Sequence, residues 1–436
     1  MDKENPKTET QTKQVKTAAA KEKTVGNDYQ IPSENNAQGN LFSGVTCIGI
    51  GQGGTNLAVL LEKSLRKLSN YTKLLIINTA VTDISAVEIP KERKLLVGSG
   101  SGAGKKRDVA KELFWGEDNQ NDALFDEFVS KNNQMFFGAN QLVLVCYSAG
   151  GGTGSGIGNK FLLKLTKYCA TVNEQYVTVI DGKKTPVAID PYRPNVIGIC
   201  LTPDIESIID SGEDALNNTM QCMNEINTIV QNKAASVFVV KNSIPKNIDS
   251  GENIYDKTNQ NVVDGFTKFI RMIGTSDTNT ILDVKDRFMA LSYPGLMAFT
   301  TMNEPNRYNM LLPALGSKVP AVVAELAYNK DNYQAKVDEY NSYAQSYIIA
   351  DQTIGWNDVD KIPEKDKSDL STSDIILFVG FSNLDSILEP IKAALDRKIR
   401  AGENNNIHGS AFNGLDAITE KRAAERSKNL DIDNLI

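Results

Sequence analysis

Seven consecutive residues, Gly150-Gly-Gly-Thr-Gly-Ser-Gly156, hold five glycines and two hydroxyls between an apolar run and a helical pattern. The apolar run, Leu142–Cys146, is predicted to be a buried parallel strand. Ile157, Phe161, Leu162 and Leu165 fall on one stripe of a helix over 156–170. A loop with so little side chain leaves its backbone N–H groups free, and the helix it opens adds a field that favours negative charge. The carboxyl end of a buried parallel strand is also where open α/β sheets bind ligands. The loop is therefore predicted to wrap one anion.

The flanking chain supplies the rest of such a sheet. Val45–Ile50, Leu74–Ile77, Val196–Leu201 and Val237–Val240 read as further strands. Helical patterns separate them, the clearest being Leu57, Leu60, Leu61, Leu65 and Leu68. Strands alternating with helices imply βαβ units and a mostly parallel, Rossmann-like sheet. Asp181-Gly182, between 176–180 and 187–189, predicts a hairpin inserted into this core. Residues 259–274 form one long helical pattern that stops at Gly274. A second α+β module follows, with strands at Met297–Thr301 and Ile375–Phe381 and a helix over Leu384–Arg400. Residues 1–40 carry six Lys and six acidic residues but only three aliphatic β-branched ones. Such a segment is predicted to stay disordered, because it buries too little apolar surface to offset its ordering entropy. The expected organisation is a tail over 1–42, a ligand-binding domain over 43–250, a central helix over 251–275, a second domain over 276–400, and a helix extension with a tail over 401–436.

Composition removes several alternatives. The single histidine, His408, excludes an HExxH zinc motif and a Cys₂His₂ finger. The five cysteines are widely spaced without a CxxC pair, which predicts reduced thiols in a cytoplasmic protein with no metal site. A net charge of -7 argues against direct nucleic-acid binding. No apolar run is long enough for a secretory signal or a membrane span, so any membrane contact is expected to be indirect.

Two more glycine loops bear on the ligand. Gly49-Ile-Gly51-Gln-Gly53-Gly54-Thr55-Asn56 follows the first strand and opens a helix. It matches GxGxxG, but the next strand ends in Asn78-Thr79, where a dinucleotide site wants an acid for the ribose. Gly98-Ser-Gly-Ser-Gly-Ala-Gly-Lys105-Lys106-Arg107 lacks the Ser or Thr of a Walker A loop, since Lys106 stands there. Its three basic residues suit polyphosphate charge.

Taken in order, these loops resemble those of the tubulin/FtsZ superfamily of GTPases, over about residues 43–400. Gly150–Gly156 matches its GGGTGSG signature. Gly51, Gln52, Gly53, Gly54 and Asn56 resemble its first nucleotide loop, Asn78 and Thr79 its second, and Gly102, Ala103 and Gly104 the third, around the γ-phosphate. The resemblance implies that Gly150, Gly151, Gly152, Thr153, Gly154, Ser155 and Gly156 bind GTP with Mg²⁺. It also implies that Glu206 holds the ribose and that Asn242, in Lys241-Asn242-Ser243, reads the nucleoside. For the guanine reader, Asn259, Gln260 and Asn261 all compete. Tyr255 with Asn259 reproduces tubulin's Tyr-x-x-x-Asn spacing, at the cost of a one-residue slip in helix register.

The family's catalytic acids enter the nucleotide pocket of the next subunit. Asp283 and Asp286 reproduce the DxxD spacing, although Ile281 replaces the usual Asn before them. The resemblance thus implies a GTP-binding domain, an activation domain, and head-to-tail filaments whose assembly completes the active site. Ser276–Asp283 and the C-terminal portion look most like the TubZ branch, which implies a plasmid or phage DNA partition role through a TubR-like DNA-bound adaptor. The terminal Leu430-Asp-Ile-Asp-Asn-Leu-Ile436 is similar to the peptide by which FtsZ meets its membrane tethers, so a division-ring GTPase is the alternative. A Rossmann-type nucleotide-binding enzyme is a more remote one.

Overall fold

The computed structural model describes residues 44–66, 71–136, 141–174, 177–180, 183–186, 194–205, 208, 213–242, 254–271, 282, 284–361 and 374–406. All of them lie in one compact unit. The expected terminal tails, Glu206, Asp283 and His408 lie outside the described residues.

Twelve strands are described: β1 (Gly44–Ile50), β2 (Thr72–Asn78), β3 (Lys94–Leu96), β4 (Gln141–Ser148), β5 (Val177–Ile180), β6 (Lys183–Pro186), β7 (Asn195–Thr202), β8 (Ser236–Lys241), β9 (Gly295–Thr300), β10 (Lys318–Tyr328), β11 (Ile348–Asp358) and β12 (Ile375–Phe381). Ten of these form one sheet in the order β11-β10-β12-β9-β8-β7-β4-β1-β2-β3. Every pairing from β3 to β9 is parallel. β12 is antiparallel to both β9 and β10. The parallel core is apolar on both faces: every residue of β1 and β7 is buried. That is why these strands read as continuous apolar runs rather than alternating ones.

The strand order reverses between β1 and β4. The chain winds from β1 outward to β2 and β3, then returns to β4 and winds the other way through β7 and β8. A crevice opens outside the carboxyl ends at such a switch point. The helices Gly51–Leu65 and Gly152–Glu174 start there, directly after β1 and β4.

Some elements differ from their sequence expectation. The hairpin forms, but its second arm is β6, with Ile180 opposite Lys183. That register puts the arm earlier than 187–189. The long central helix runs Ile254–Arg271, starting five residues earlier than its apolar pattern. Tyr255, Asp256 and Lys257 in its first turn are exposed, so they add nothing to the periodicity. It lies against the Gly51–Leu65 helix and β12.

Candidate nucleotide site

Four loops meet at the switch point. The Gly51–Leu65 helix begins at Gly51, whose φ of 71° is open to glycine but strained for other residues. Its N-cap, Ile50, makes no side-chain cap and the first turn holds no acid. The Gly152–Glu174 helix likewise has no acid in its first turn. Two helix starts without acids, the first of them uncapped, make a site for negative charge.

The loops touch closely enough that glycine is required between them. A Cβ on Gly51 would lie 2.9 Å from the Gly154 backbone nitrogen. On Gly154 it would lie 2.7 Å from both the backbone N and O of Ser148. On Gly152 it would lie 3.0 Å from backbone atoms of Lys105 and Lys106. Gly53 faces Ser148, and Gly150 faces Pro203. The first, third and fourth loops thus share one backbone-lined cradle.

The second loop is tied in by hydrogen bonds. The hydroxyls of Thr79 and Thr153 are 2.7 Å apart. Gly102 N–H donates to the Thr79 carbonyl, and Val81 N–H to the Gly100 carbonyl. Asn78 is fully buried and locally engaged: its Nδ2 donates to Asp83 at 3.1 Å and its Oδ1 accepts the Ala80 N–H at 3.2 Å. The Ser155 hydroxyl donates back to the Gly151 carbonyl. Gln52 and Asn56 are exposed at the start of the first helix, and Gly151 is half-buried. Ala103 is buried against Gly152, and Gly104 is open.

Asn242 sits just beyond β8, where its N–H donates to the Thr202 carbonyl. Its side-chain Oδ1 is buried without a hydrogen-bond partner, as is Thr55 Oγ1. A buried acceptor without a donor is costly, and a ligand N–H would relieve it. Of the three candidate base readers, Gln260 is exposed and donates to Asp264 at 2.8 Å. Asn261 donates to Asn309 at 2.7 Å, and Asn259 is buried. Asp286 is exposed in the first turn of the Val284–Ser292 helix, on the module that follows the central helix.

Arg107 departs from the reading of a basic run facing phosphates. Lys105 and Lys106 are exposed, but Arg107 turns inward and pairs with Glu225. Asn159 Nδ2 donates to the same carboxylate at 3.0 Å, and Lys111 approaches it at 3.6 Å. Tyr147 O–H donates to Asn159 Oδ1 at 2.7 Å. Asn218 was also missed. Its Nδ2 donates to the Lys105 carbonyl at 2.7 Å and the Gly150 carbonyl at 3.3 Å, joining the third loop to the fourth. Only a tertiary contact reveals either residue.

The donor set therefore fits a nucleoside polyphosphate: helix starts without acids for phosphate, a backbone cradle, and an orphaned acceptor, Asn242 Oδ1, for a ligand N–H. Mg²⁺ that accompanies such a ligand takes most of its oxygens from phosphate and water. Among the described residues, no group of three or more His, Cys, Asp or Glu could hold a metal ion by itself. No helix among them is long and apolar enough to cross a membrane.

The ten-strand sheet, its switch point and the helix between its two parts define a tubulin/FtsZ-like fold. The fold is similar to TubZ of Clostridium botulinum phage c-st with its C-terminal tail truncated, at 15% identity and a TM-score of 0.56, over 83% of this chain and 99% of that one. It is similar to a GTPγS-form protofilament of Bacillus thuringiensis serovar israelensis TubZ, at 17% identity and a TM-score of 0.58, over 86% of this chain and 96% of that one. A GTPγS-bound protofilament of CetZ2 from Haloferax volcanii shares it too, at 16% identity and a TM-score of 0.56, over 81% and 99%. No family model matches the sequence, and no curated protein sequence matches it significantly.

Proposed function

We propose that this chain is a tubulin-like GTPase that polymerises head to tail, with GTP held in the crevice between β1 and β4. The convergence of four loops on that one sheet edge carries the reading. The GTPγS-form TubZ and GTPγS-bound CetZ2 protofilaments, which share the fold, support it.

In this reading residues 43–250 are the GTP-binding domain and 276–400 the activation domain. Gly51, Gly53, Gly54 and Gly150–Gly156 cradle the phosphates with their N–H groups, and Gly102–Gly104 close over the terminal phosphate. Thr79 and Thr153 hold two of the loops together. Asn242 and Glu206 meet the nucleoside, with Asn259 the reader of the base. Asn259 is the choice among three because Gln260 and Asn261 are engaged elsewhere. GTP supplies the phosphoanhydride bond and brings Mg²⁺, which offsets its charge.

Asp283 and Asp286 of the neighbouring subunit complete the site. A carboxylate there orients a water and accepts its proton as the water attacks the γ-phosphorus and the bond from that phosphorus to the bridging oxygen breaks, releasing GDP and phosphate. Hydrolysis then loosens the joint that made it possible. A head-to-tail contact that does not close gives a filament. The finer reading is that the filament moves plasmid or phage DNA through a DNA-bound adaptor gripped by residues 401–436. The apolar and acidic sequence Leu430–Ile436 favours a second reading, attachment to a membrane-tethered division partner.

The test is GTP turnover per subunit against protein concentration, with Asp283→Ala and Asp286→Asn alongside. Turnover that rises past a concentration threshold and collapses in Asp283→Ala supports the shared site. Asp286→Asn is expected to lower it less. A per-subunit rate that is flat with concentration, or indifferent to Asp283, overturns the shared mechanism.

A further inference from the structure

The helix Glu213–Gln231 carries Asn218, Cys222 and Glu225 four and three residues apart, hence on one face. All three are buried, and each bonds to the machinery around the crevice. Asn218 Nδ2 donates to the Lys105 carbonyl at 2.7 Å and to the Gly150 carbonyl at 3.3 Å. The Cys222 carbonyl accepts from Asn159 at 3.0 Å, on the helix that the fourth loop opens. Glu225 pairs with Arg107, at the start of the helix that follows the third loop.

Asn218 is the member of this face that touches both loops directly. The third loop leaves through Gly104 and Lys105, with φ of 57° and 63°. Lys105 is a residue without glycine's freedom, so something must hold that conformation. The Asn218 amide bonds the carbonyl of that residue. The same amide hydrogen bonds to Gly150, and Gly152 already abuts Lys105 and Lys106. One side chain on a rigid helix thus sets the separation of the two loops.

We infer that Asn218 is a positioning residue that fixes the third glycine loop against the fourth and so sets the preference for nucleoside triphosphate over diphosphate. This rests on the nucleotide site proposed above, in which the third loop closes over the terminal phosphate. Loss of the amide frees the third loop while the fourth still holds the phosphates nearer the nucleoside.

The experiment measures binding of GTPγS and GDP to the full chain at a concentration below assembly. The variants are Asn218→Leu, which keeps the size and removes the donors, and Asn218→Asp, which turns an oxygen toward two carbonyls. Gln221→Ala, on the exposed face of the same helix, is the control. Both Asn218 variants are expected to weaken GTPγS about tenfold and GDP less than about threefold, with Asp the stronger. The control is expected to change neither. Equal weakening of the two nucleotides in both variants means a merely structural role and overturns the inference. So does unchanged binding. If one variant fails to fold, seen as a lost thermal transition, the other decides by the same ratio. A wild-type chain that binds neither nucleotide overturns the nucleotide site itself, and the inference with it.

Discussion

Two nine-residue helices, Arg107–Trp115 and Val284–Ser292, are built alike in different parts of the chain. Each follows directly on a segment assigned to the chemistry: the third glycine loop in one case, the Asp283 segment in the other. Each carries a buried arginine in its first turn, paired with a buried glutamate: Arg107 with Glu225, Arg287 with Glu325. They differ in what else the pair holds. Glu225 also takes Asn159 and Lys111, which ties it to the helix of the fourth loop. Arg287 donates to the Phe269 carbonyl at 3.0 Å, and Asn357 donates to Glu325 at 3.3 Å. The second pair therefore ties its segment to the central helix and to β10 and β11. One anchor stands beside the third and fourth glycine loops, and the other at the start of the helix that follows the proposed catalytic segment. Such pairs are weak as net stabilisers against an apolar replacement, but costly to break on one side.

That contrast sets the largest expected effect. Glu225→Gln and Glu325→Gln each leave a buried guanidinium without its counter-charge, and each is expected to cost about 3–5 kcal/mol of stability by chemical denaturation. Nucleotide binding separates them: it is expected to weaken in Glu225→Gln and to hold in Glu325→Gln, whose defect falls on turnover above the assembly threshold. Equal loss of binding in both would collapse the comparison. Acid sharpens it. Burial pushes the Glu225 carboxyl up, but the Arg107 and Lys111 charges and the Arg107 and Asn159 bonds outweigh it and hold it below its ordinary 4.5. A depressed carboxyl contributes stability above its unfolded value and loses it as pH falls through the folded one. Wild type is thus expected to lose stability below about pH 4.5 more steeply than Glu225→Gln.

Neither anchor was visible in the sequence, whereas the glycine loops and all of the sheet but β3, β10 and β11 were. Periodicity and glycine runs are local signals, and β1, β2, β4, β7, β8 and β12 surfaced from them within a residue or two. Arg107 sits in a run of three basic residues, and nothing nearby says that it turns inward. Its partner lies 118 residues away. Asn218 is one polar residue among several on its helix, and its bonds to Lys105 and Gly150 span 113 and 68 residues. The hairpin shows the same limit at short range. The Asp-Gly turn was readable, but Lys183 and Lys184 do not look like a strand, so the second arm was sought further on.

Glycines in left-handed conformation offer a second way to break the contrast. Gly51 and Gly316 have nearly equal φ, 71° and 75°. A Cβ on Gly316 meets nothing within 4 Å, whereas one on Gly51 meets the Gly154 nitrogen at 2.9 Å. Alanine at either position carries a backbone strain of about 1 kcal/mol. Only Gly51→Ala is expected also to displace the fourth loop and weaken GTP binding, by roughly tenfold or more. Gly316→Ala is expected to lower the melting temperature by a few degrees and leave binding intact. Binding that survives Gly51→Ala would mean the cradle is not where the phosphates lie.

The smallest effect concerns a third buried cation, on the central helix that Arg287 bonds. Lys268 is fully buried in the central helix and donates to the Asp374 carbonyl at 2.9 Å. Burial pushes it down from 10.5 to about 7, with the Asp374 charge only partly restoring it. Arginine would keep its charge in that place, but lysine can lose it. Between the two values the unfolded chain holds a proton that the folded chain releases, so stability rises with pH across that range. Above about 9 the buried thiols pull the other way, because burial raises Cys47 and the unfolded chain ionises first. The useful window is therefore about pH 7 to 8.5, where one such group contributes at most about 1.4 kcal/mol per pH unit. Chemical denaturation across that window is expected to show a positive slope in wild type that flattens in Lys268→Met. An unchanged slope would mean that Lys268 keeps its proton when buried. The central helix would then carry a fixed charge beside the Arg287 anchor that bonds it.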